Sequence, residues 1–505
     1  MKNTPIGKLI AVFLSILLCF GLLFSCEGTN TPVDNNPENI RPDEDPTYNW
    51  ADWIQPEEIP YEAPESGITI NKLQMISIGP GADCSTEMTI NWHSYEPVNY
   101  VEYTMASDTG FAKSRKIWVK AELTKGTFTA ADGKVYGWND GSGTNDNTKF
   151  YVCKADLTKL KSNTNYIYRV GTTGPNAKKS ETRKFKTASA IGSPFSFFWA
   201  ADLHTPSSSS TYTKNITDLI NYSNENLTKG GLPKIDFALF TGDLVDEGGK
   251  YKDWQYWDSI EALKNYMFAT IVGNHDYYWY DGYRINGDKP RVSNRWQLEC
   301  TAYPATNTYT VSGVEKKLPA SNYWFLYNKV LFIGVDSLAG EAIDPDAQAS
   351  VSAQKSWFKA VVAQNKGKFD YLIAHQHYAC IINDEIIDWG PFDDWRSTYE
   401  TCLVDFALGS DQHEYSRTYE VRGSNQTPVK EGGKPGVVYV ASPQTEGTIS
   451  GVTYRSDTTK PAEFYGGGCV AGAYFVVNSD TITLNVVGMN GTIYDTKTIK
   501  KKTRE

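Results

Sequence analysis

The stretch Ile235–Asp246, IDFALFTGDLVD, joins a run of apolar residues to two carboxylates. Ile235–Phe240 is almost entirely apolar, which is typical of a strand covered on both faces. Gly242 permits a sharp turn at the end of this strand. Asp243 follows the turn, and we therefore expect it at the carboxyl edge of a sheet, where open α/β folds bind ligands.

Three further apolar runs end on residue types that bind metals. They are FSFFWAADLH, which ends with Asp202 and His204, FATIVGNHD, which ends with Asn274, His275 and Asp276, and YLIAHQH, which ends with His375 and His377. A later segment, SDQHEYSRT, adds Asp411 and His413. Five of the six histidines stand in these segments, which argues against histidines that merely fill a core or a surface. The mixture of oxygen and imidazole donors favours Mn, Fe or Zn.

The number of donors is sufficient for two metal ions. Two ions in a hydrolytic site lie about 3.5–4 Å apart, and a carboxylate bridges them. Asp243 is expected to be this bridge, because it is central in the order of the segments. Metal lowers the pKa of bound water from about 15.7 toward ~7, which predicts hydrolysis by a metal-bound hydroxide. His275 is expected beside the ions as a general acid or phosphate donor, with Asp276 orienting its ring.

The charge of the chain excludes a general affinity for polyanions. The 505 residues carry a formal net charge of −10, and the sequence pI is about 5.3. Such a chain has no nucleic-acid-binding surface, so attraction for an anionic substrate must come from bound metal.

The first residues are typical of a targeting segment. Lys2 and Lys8 precede the apolar run Leu9–Phe24, and Cys26 follows it closely. This arrangement resembles a bacterial lipoprotein signal and predicts a lipid anchor at Cys26 in the cell envelope. Ordinary signal cleavage, or an uncleaved anchor, is the alternative.

The remaining sequence divides into three parts. Residues 27–64 are rich in Asn, Pro, Asp and Glu, and they predict a flexible tether after the signal segment 1–26. Residues 65–188 predict an all-β sandwich of the fibronectin or immunoglobulin type, in which His93 is expected on the surface. Residues 189–505 alternate strands with helices and end in strands, which predicts an α/β layered domain. Helices are expected at 212–226, 251–266 and 349–366.

The site motifs carry a family resemblance. In chain order they are DLH at 202, GDLVD at 242, GNHD at 273, AHQH at 374 and QH at 412. They resemble the ordered motifs of the calcineurin-like metallophosphoesterases. The layout resembles the purple acid phosphatase branch, in which a fibronectin-like domain precedes the catalytic one; MTINWHS at 88 and RKFKT at 183 are similar to features of that domain. The resemblance implies a β-sandwich flanked by helices and hydrolysis of small phosphorylated substrates.

The resemblance also implies a ligand set for two ions. One ion is assigned to Asp202, His204, Asp243 and His413. The other is assigned to Asp243, Asn274, His375 and Asp411. His275 matches the motif histidine that contacts phosphate.

Three residues depart from the purple acid phosphatase pattern. Asp246 stands where these enzymes have the tyrosine that gives their colour, and His204 stands where they have no histidine. The first site is therefore similar to that of the colourless members. Asp411 replaces the first histidine of the GHxH motif, which favours Mn or Mg over Zn, and His377 is the alternative occupant of that place.

An aromatic run, Tyr277–Tyr280 with Tyr283 and Arg284, follows GNHD. These residues, with His275 and His377, are expected to bind substrate, and packing within a loop is the alternative for the aromatic run. The leading prediction is a phosphomonoesterase. A phosphodiesterase or nucleotidase is the alternative enzyme. A non-catalytic surface binding lipoprotein is the alternative of another class, and Asp411 favours it.

Overall fold

The computed structural model describes residues 55–130, 133–205, 211–387, 395–442, 452–454, 461–466 and 471–504. All of them lie in one compact unit, which runs from Tyr48 to Glu505. The predicted signal segment, Cys26 and the tether up to residue 54 lie outside the described residues. None of the helices in the described ranges is long and apolar enough to span a membrane.

The N-terminal part of this unit is built from antiparallel strands. They are β1 Gln74–Pro80, β2 Met88–Ser94, β3 Val98–Met105, β4 Arg115–Lys120, β5 Glu122–Leu123, β6 Phe128–Thr129, β7 Val135–Tyr136, β8 Tyr151–Leu157, β9 Asn165–Thr172 and β10 Arg183–Lys186. Two four-stranded sheets, β1-β2-β8-β5 and β10-β9-β3-β4, contribute Trp92, Tyr103 and Tyr168 to one buried core. The predicted all-β fold is confirmed.

The predicted exposure of His93 is wrong. Its side chain is fully buried, because the C-terminal part of the chain covers the face of β2 that the polar residues occupy. The Nε2–H donates to the carbonyl of Glu299 (2.8 Å), and Nδ1 accepts from the hydroxyl of Tyr251 (2.8 Å). The ring stacks on Phe150, with 4.0 Å between centroids. Burial lowers the pKa of His93 to about 3, so this histidine is a neutral part of the junction.

The C-terminal part of the unit contains two larger sheets. Their strands are β11 Phe195–Ala200, β12 Ile235–Phe240, β13 Met267–Thr270, β16 Tyr323–Tyr327, β17 Val330–Val335, β18 Tyr371–Tyr378, β21 Phe406–Ser410, β22 Tyr415–Arg422, β23 Thr427–Pro428, β24 Val437–Ala441, β25 Val452–Tyr454, β26 Ala462–Gly466, β27 Ala471–Val477, β28 Thr481–Gly488 and β29 Ile493–Lys500. Short hairpins pair β14 Thr308–Val311 with β15 Val314–Lys317, and β19 Ile381–Ile382 with β20 Glu385–Ile386.

Each of the two sheets contains a group of neighbouring parallel strands. The first sheet has the order β13-β12-β11-β27-β28-β29, and β11, β12 and β13 run parallel. The second has the order β16-β17-β18-β21-β24-β22-β26-β25, with β23 on β22, and β17, β18, β21 and β24 run parallel. The carboxyl ends of parallel strands share one edge of a sheet, and that edge is where ligands bind in α/β folds.

Alternating residues of the central strands face two different cores. Phe197 of β11 meets Phe332 of the second sheet edge-on, with 5.3 Å between centroids. Its neighbour Phe198 packs with Ile216 and Leu219 of the helix that covers the outer face. Two sheets packed face to face, with helices outside, form the layered α/β domain that the sequence predicts.

The helices are α1 Thr211–Lys229, α2 Tyr251–Asp258, α3 Asn274–Tyr277, α4 Arg295–Cys300, α5 Val351–Gln364 and α6 Arg396–Thr401. The hydroxyl of Ser350 caps α5 by accepting from the amide of Ala353 (3.2 Å). The helix predicted for 251–266 is interrupted, because Ile260 adopts an extended conformation (φ −65°, ψ 107°) before a 3₁₀ turn at Glu261–Asn265.

Candidate metal centre

The site residues stand where strands of the two sheets end. Asp202 follows β11, Asp243 follows β12, Asn274 follows β13, His377 is near the end of β18, and Asp411 follows β21. The first two loops are joined by backbone hydrogen bonds, because the amides of residues 203 and 204 donate to the carbonyl of Asp243 (2.8 and 3.0 Å). The fold therefore gathers side chains that lie far apart in the sequence.

The backbone at these positions is unusual. The φ angles are 51° at Asp202, 43° at His204, 50° at Asp243, 79° at Asp411 and 58° at His413. Residues other than glycine rarely adopt this left-handed region, and such conformations concentrate at functional sites.

Gly273 accommodates a close approach in the same region. A Cβ at this position would lie 2.1 Å from Oδ1 of Asp243 and 2.3 Å from its backbone nitrogen. Only glycine fits here, so the third motif packs directly against the second.

The first donor group consists of Asp202, His204, Asp243 and His413. Their ligand atoms all lie within 4.8 Å of one another. Nε2 of His204 is 3.1 Å from Nε2 of His413 and 3.7 Å from Oδ2 of Asp243. Burial raises the pKa of the Asp202 carboxyl, and a cation would stabilise its charged form. Two imidazoles and two carboxylates that converge in this way suit one metal ion.

The second donor group shares Asp243 with the first. Nε2 of His377 lies 2.9 Å from Oδ1 of Asn274, 3.3 Å from Oδ1 of Asp243 and 3.8 Å from Oδ1 of Asp411. Nδ1 of His377 lies 2.8 Å from the carbonyl of Thr241. A metal ion at Nε2 would require the ring proton on Nδ1, where the carbonyl of Thr241 can accept it.

Asp243 contacts both groups through different oxygens. Its Oδ2 faces His204 and its Oδ1 faces His377. Burial opposes ionisation, but the imidazoles of His377, His275 and His204 outweigh burial and hold the pKa of Asp243 well below its usual range. An ionised carboxylate between two donor groups has the geometry of a bridge.

His275 lies beside the first group. Its ring centroid is 4.3 Å from that of His204. Its Nδ1 donates to the carbonyl of Asp246 (2.9 Å) and lies 3.2 Å from the Asp246 carboxylate. Burial would lower the pKa of His275, but the charges of Asp243 and Asp246 outweigh burial and raise it to about 9.

Comparisons with known proteins agree with this geometry. Residues 74–187 match the purple acid phosphatase N-terminal domain, and residues 195–415 match the calcineurin-like phosphoesterase family. The second match spans every residue of both donor groups. Residues 195–415 therefore form a calcineurin-like phosphoesterase domain.

Relatives of this phosphoesterase are distant. Two uncharacterized proteins of Mycobacterium tuberculosis, from strains CDC 1551 / Oshkosh and ATCC 25618 / H37Rv, are each 21% identical over 408 residues, which are 75% of this chain and 69% of theirs. The solved purple acid phosphatase PPD1 from yellow lupin (Lupinus luteus) seeds is 16% identical, with a TM-score of 0.62 over 85% of this chain and 74% of that one. The lupin structure shares the fold. The family identifies the chain as an enzyme that hydrolyses phosphate esters with metal ions.

His375 of the phosphoesterase lies away from both donor groups, in contrast to the prediction. Its Nε2 is 3.1 Å from the hydroxyl of Tyr323, and burial lowers its pKa to about 3. The pairing of β18 with β21 shifts register between His375 and Tyr378, and the chain beyond the shift brings His377 to the edge. Both histidines lie within β18, so the position of the strand end alone does not distinguish His377 from His375.

Asp276 has a different contact from the one predicted. It is fully buried. Its carboxylate accepts from the backbone amides of Gly273 (2.9 Å), Leu244 (3.0 Å) and Val245 (3.2 Å). Asp276 therefore fixes the turn that carries Asp243, and Asp246 is the residue that orients the His275 ring.

Buried residues of the aromatic run of the phosphoesterase pack against other segments of the chain. Tyr277 is buried and donates to Asp336 (2.7 Å), and Trp279 donates to the carbonyl of Gly137 (2.9 Å). Arg284 donates to the carbonyl of Tyr283 (3.0 Å) within the same loop. The predicted substrate contact of Tyr277 is wrong, because its side chain is fully buried. Arg284 is exposed, and its predicted substrate contact stays a prediction.

Tyr278 is the member of the run that reaches the site. Its hydroxyl accepts from Nδ2 of Asn274 (3.0 Å), and its ring centroid lies 4.9 Å from that of His275. The hydrogen bond leaves Oδ1 of Asn274 directed to the second donor group. The sequence offered no signal that separates Tyr278 from its aromatic neighbours.

Proposed function

We propose that this phosphoesterase hydrolyses phosphomonoesters at a dinuclear site bridged by Asp243. One observation carries the proposal: the two oxygens of Asp243 face separate donor groups, 3.7 Å from His204 and 3.3 Å from His377. Divalent ions in such a site supply positive charge that polarises a phosphate ester and activates water. The first ion would be held by Asp202, His204, Asp243 and His413, and the second by Asp243, Asn274, His377 and Asp411.

The proposed metals follow from the donor types. The second group has one imidazole and three oxygen donors, which favours Mn or Mg, whereas two imidazoles in the first group also suit Zn or Fe. Asp411 supplies one of these oxygens in place of a histidine. Its position 3.8 Å from His377 supports a ligand role and argues against the non-catalytic alternative.

His275 is the proposed donor to the substrate. Because Nδ1 is committed to Asp246, Nε2 is the nitrogen left for a phosphate oxygen or for the leaving group. A held imidazole beside the reacting group is the arrangement that general acid catalysis requires. Asp246 acts as the positioning residue, since its carbonyl and carboxylate both lie against Nδ1.

We expect metal-dependent turnover of an aryl phosphate monoester that exceeds turnover of the matching diester. The protein is stripped of metal and then assayed with Mn, Zn, Fe and Mg in turn. Mn is expected to restore the highest rate, because the second group is rich in oxygen donors. A preference for the diester would replace the monoester proposal by the phosphodiesterase alternative. Absence of turnover by the folded protein with every metal would support the non-catalytic alternative.

We also propose that the enzyme is exported and held in the bacterial envelope by a lipid on Cys26. The apolar run that ends just before Cys26 supports this proposal. Cells fed a palmitate analogue should label the wild-type protein, and Cys26→Ser should lose the label. Equal labelling of the two proteins would contradict the anchor.

A further inference from the structure

A cavity lies at the end of the second sheet that is opposite to the metal centre. It has a volume of about 790 Å³, within the range of about 300–1,000 Å³ that is typical of small-molecule sites. Its lining includes Asp370, which directly precedes β18, and Leu403, which lies shortly before β21. His377 is near the other end of β18, so at about 3.3 Å per residue the cavity is roughly 20 Å from the metal centre.

The floor of this cavity is apolar. Val362 and Ala363 of α5, Phe369 and Leu403 line it together with Cys402. Burial raises the pKa of the Cys402 thiol to about 11, so the thiol is neutral and adds to the apolar surface. Such a surface has an affinity for the hydrocarbon part of a ligand.

The wall of the cavity is preformed. Nζ of Lys502 donates to the carbonyls of Val404 (2.6 Å) and Gly436 (2.7 Å). The Arg504 guanidinium donates to the carbonyl of Leu403 (3.0 Å) and lies over the ring of Phe369 at 5.4 Å. These bonds fix the C-terminal segment, so a ligand does not have to order it on binding.

The mouth of the cavity is cationic, although the whole chain has a formal net charge of −10. The lining contains five cations, Lys359, Lys366, Lys501, Lys502 and Arg504, and one carboxylate, Asp370. Lys502 and Arg504 pair with Asp405, which lies behind the lining. Asp370 pairs with Lys501 (2.6 Å). Within the described ranges, neither Lys359 nor Lys366 has a carboxylate partner, and both are exposed. Two cations therefore remain for a ligand.

We propose that this cavity binds an amphipathic anion, with an apolar body on the floor and a carboxylate or phosphate group at Lys359 and Lys366. The apolar floor and the cationic mouth together specify this chemistry. A neutral apolar ligand would make no ion pair with the lysines, and a small inorganic anion would make no apolar contact with the floor. The site is independent of the metal centre.

Calorimetric titration of the full chain tests this proposal. Dodecanoate and dodecylphosphonate are the probes, used below their micelle concentrations, and dodecyltrimethylammonium is the control of opposite charge. We expect saturable binding of at least one anion and at least tenfold weaker binding of the cation; the preferred anion identifies the head group. Absence of saturable anion binding, or equal binding of the cation, would overturn the proposal.

Variants locate the binding. The double variant Lys359→Glu/Lys366→Glu is expected to weaken anion binding at least tenfold. Lys368→Glu, an exposed lysine of the same segment outside the cavity lining, is expected to bind as the wild type does. Ala363→Trp, which fills the floor, is expected to abolish binding of both probes. All variants should retain phosphoesterase activity, which verifies the fold, and equal binding by the double variant and Lys368→Glu would contradict the assignment.

Discussion

Replacing His275 by alanine is expected to lower kcat by about 10²–10⁴-fold, the usual contribution of a positioned acid or base. The metal content should stay at the wild-type value, because no ligand in either donor group is removed. Steady-state kinetics on an aryl phosphate and elemental analysis of the same sample measure both quantities. An unchanged kcat would remove His275 from the catalytic machinery, and loss of metal would reassign it as a ligand.

A matched variant distinguishes the role of Asp246. Asp246→Asn keeps the backbone carbonyl that accepts from Nδ1 of His275 and removes the carboxylate at 3.2 Å. Partners that orient a functional imidazole typically contribute about 10–100-fold, so we expect a loss in this range, with KM little changed. Combining it with His275→Ala should add almost nothing, since the two residues act as one unit. If the double variant instead lost activity by the product of the two single effects, the positioning role of Asp246 would be contradicted.

Replacing His377 by alanine is expected to empty the second metal position. Its Nε2 faces three oxygen donors, and no other imidazole of the described residues joins that group. Because an outer partner of a metal ligand is already worth about 10–100-fold, loss of the ligand itself should lower turnover by at least about 10²-fold. Elemental analysis should find one ion fewer per chain.

His375→Ala is the control for this change. The two histidines lie on the same strand, two residues apart, but His375 contacts Tyr323 rather than the donor groups. We expect His375→Ala to retain both ions and most of the activity, with some loss of stability because a buried ring is removed. The opposite result, loss of metal in His375→Ala alone, would restore the assignment made from the sequence.

The sequence correctly predicted those donors whose position depends only on where a strand ends. Asp202 and Asp243 follow apolar runs whose length and composition define a strand, so their places at the sheet edge were predictable. The choice between His375 and His377 depends on a register shift in β18, which arises from pairing with β21 and has no mark in β18 itself. The local sequence pattern therefore identified the strand correctly, but it selected the wrong histidine within that strand.

Two other errors have a tertiary origin. His93 lies on the polar phase of β2, and the sequence could not show that the catalytic part of the chain covers this face and supplies Glu299 and Tyr251 as partners. Asp276 is adjacent to His275, but in α3 the two side chains point to different neighbours. Asp276 reaches the backbone of the Asp243 turn, whereas Asp246, 29 positions earlier in the sequence, reaches the His275 ring.

The number of metal ions bound by the wild type and by Asp243→Ala tests the central claim most directly. Both proteins are loaded with Mn, freed of excess metal and analysed for ions per chain, with circular dichroism to verify the fold. The account predicts two ions in the wild type and loss of tight binding at both positions in Asp243→Ala, because each donor group loses a carboxylate oxygen. Two tightly held ions in folded Asp243→Ala would contradict a site bridged by Asp243.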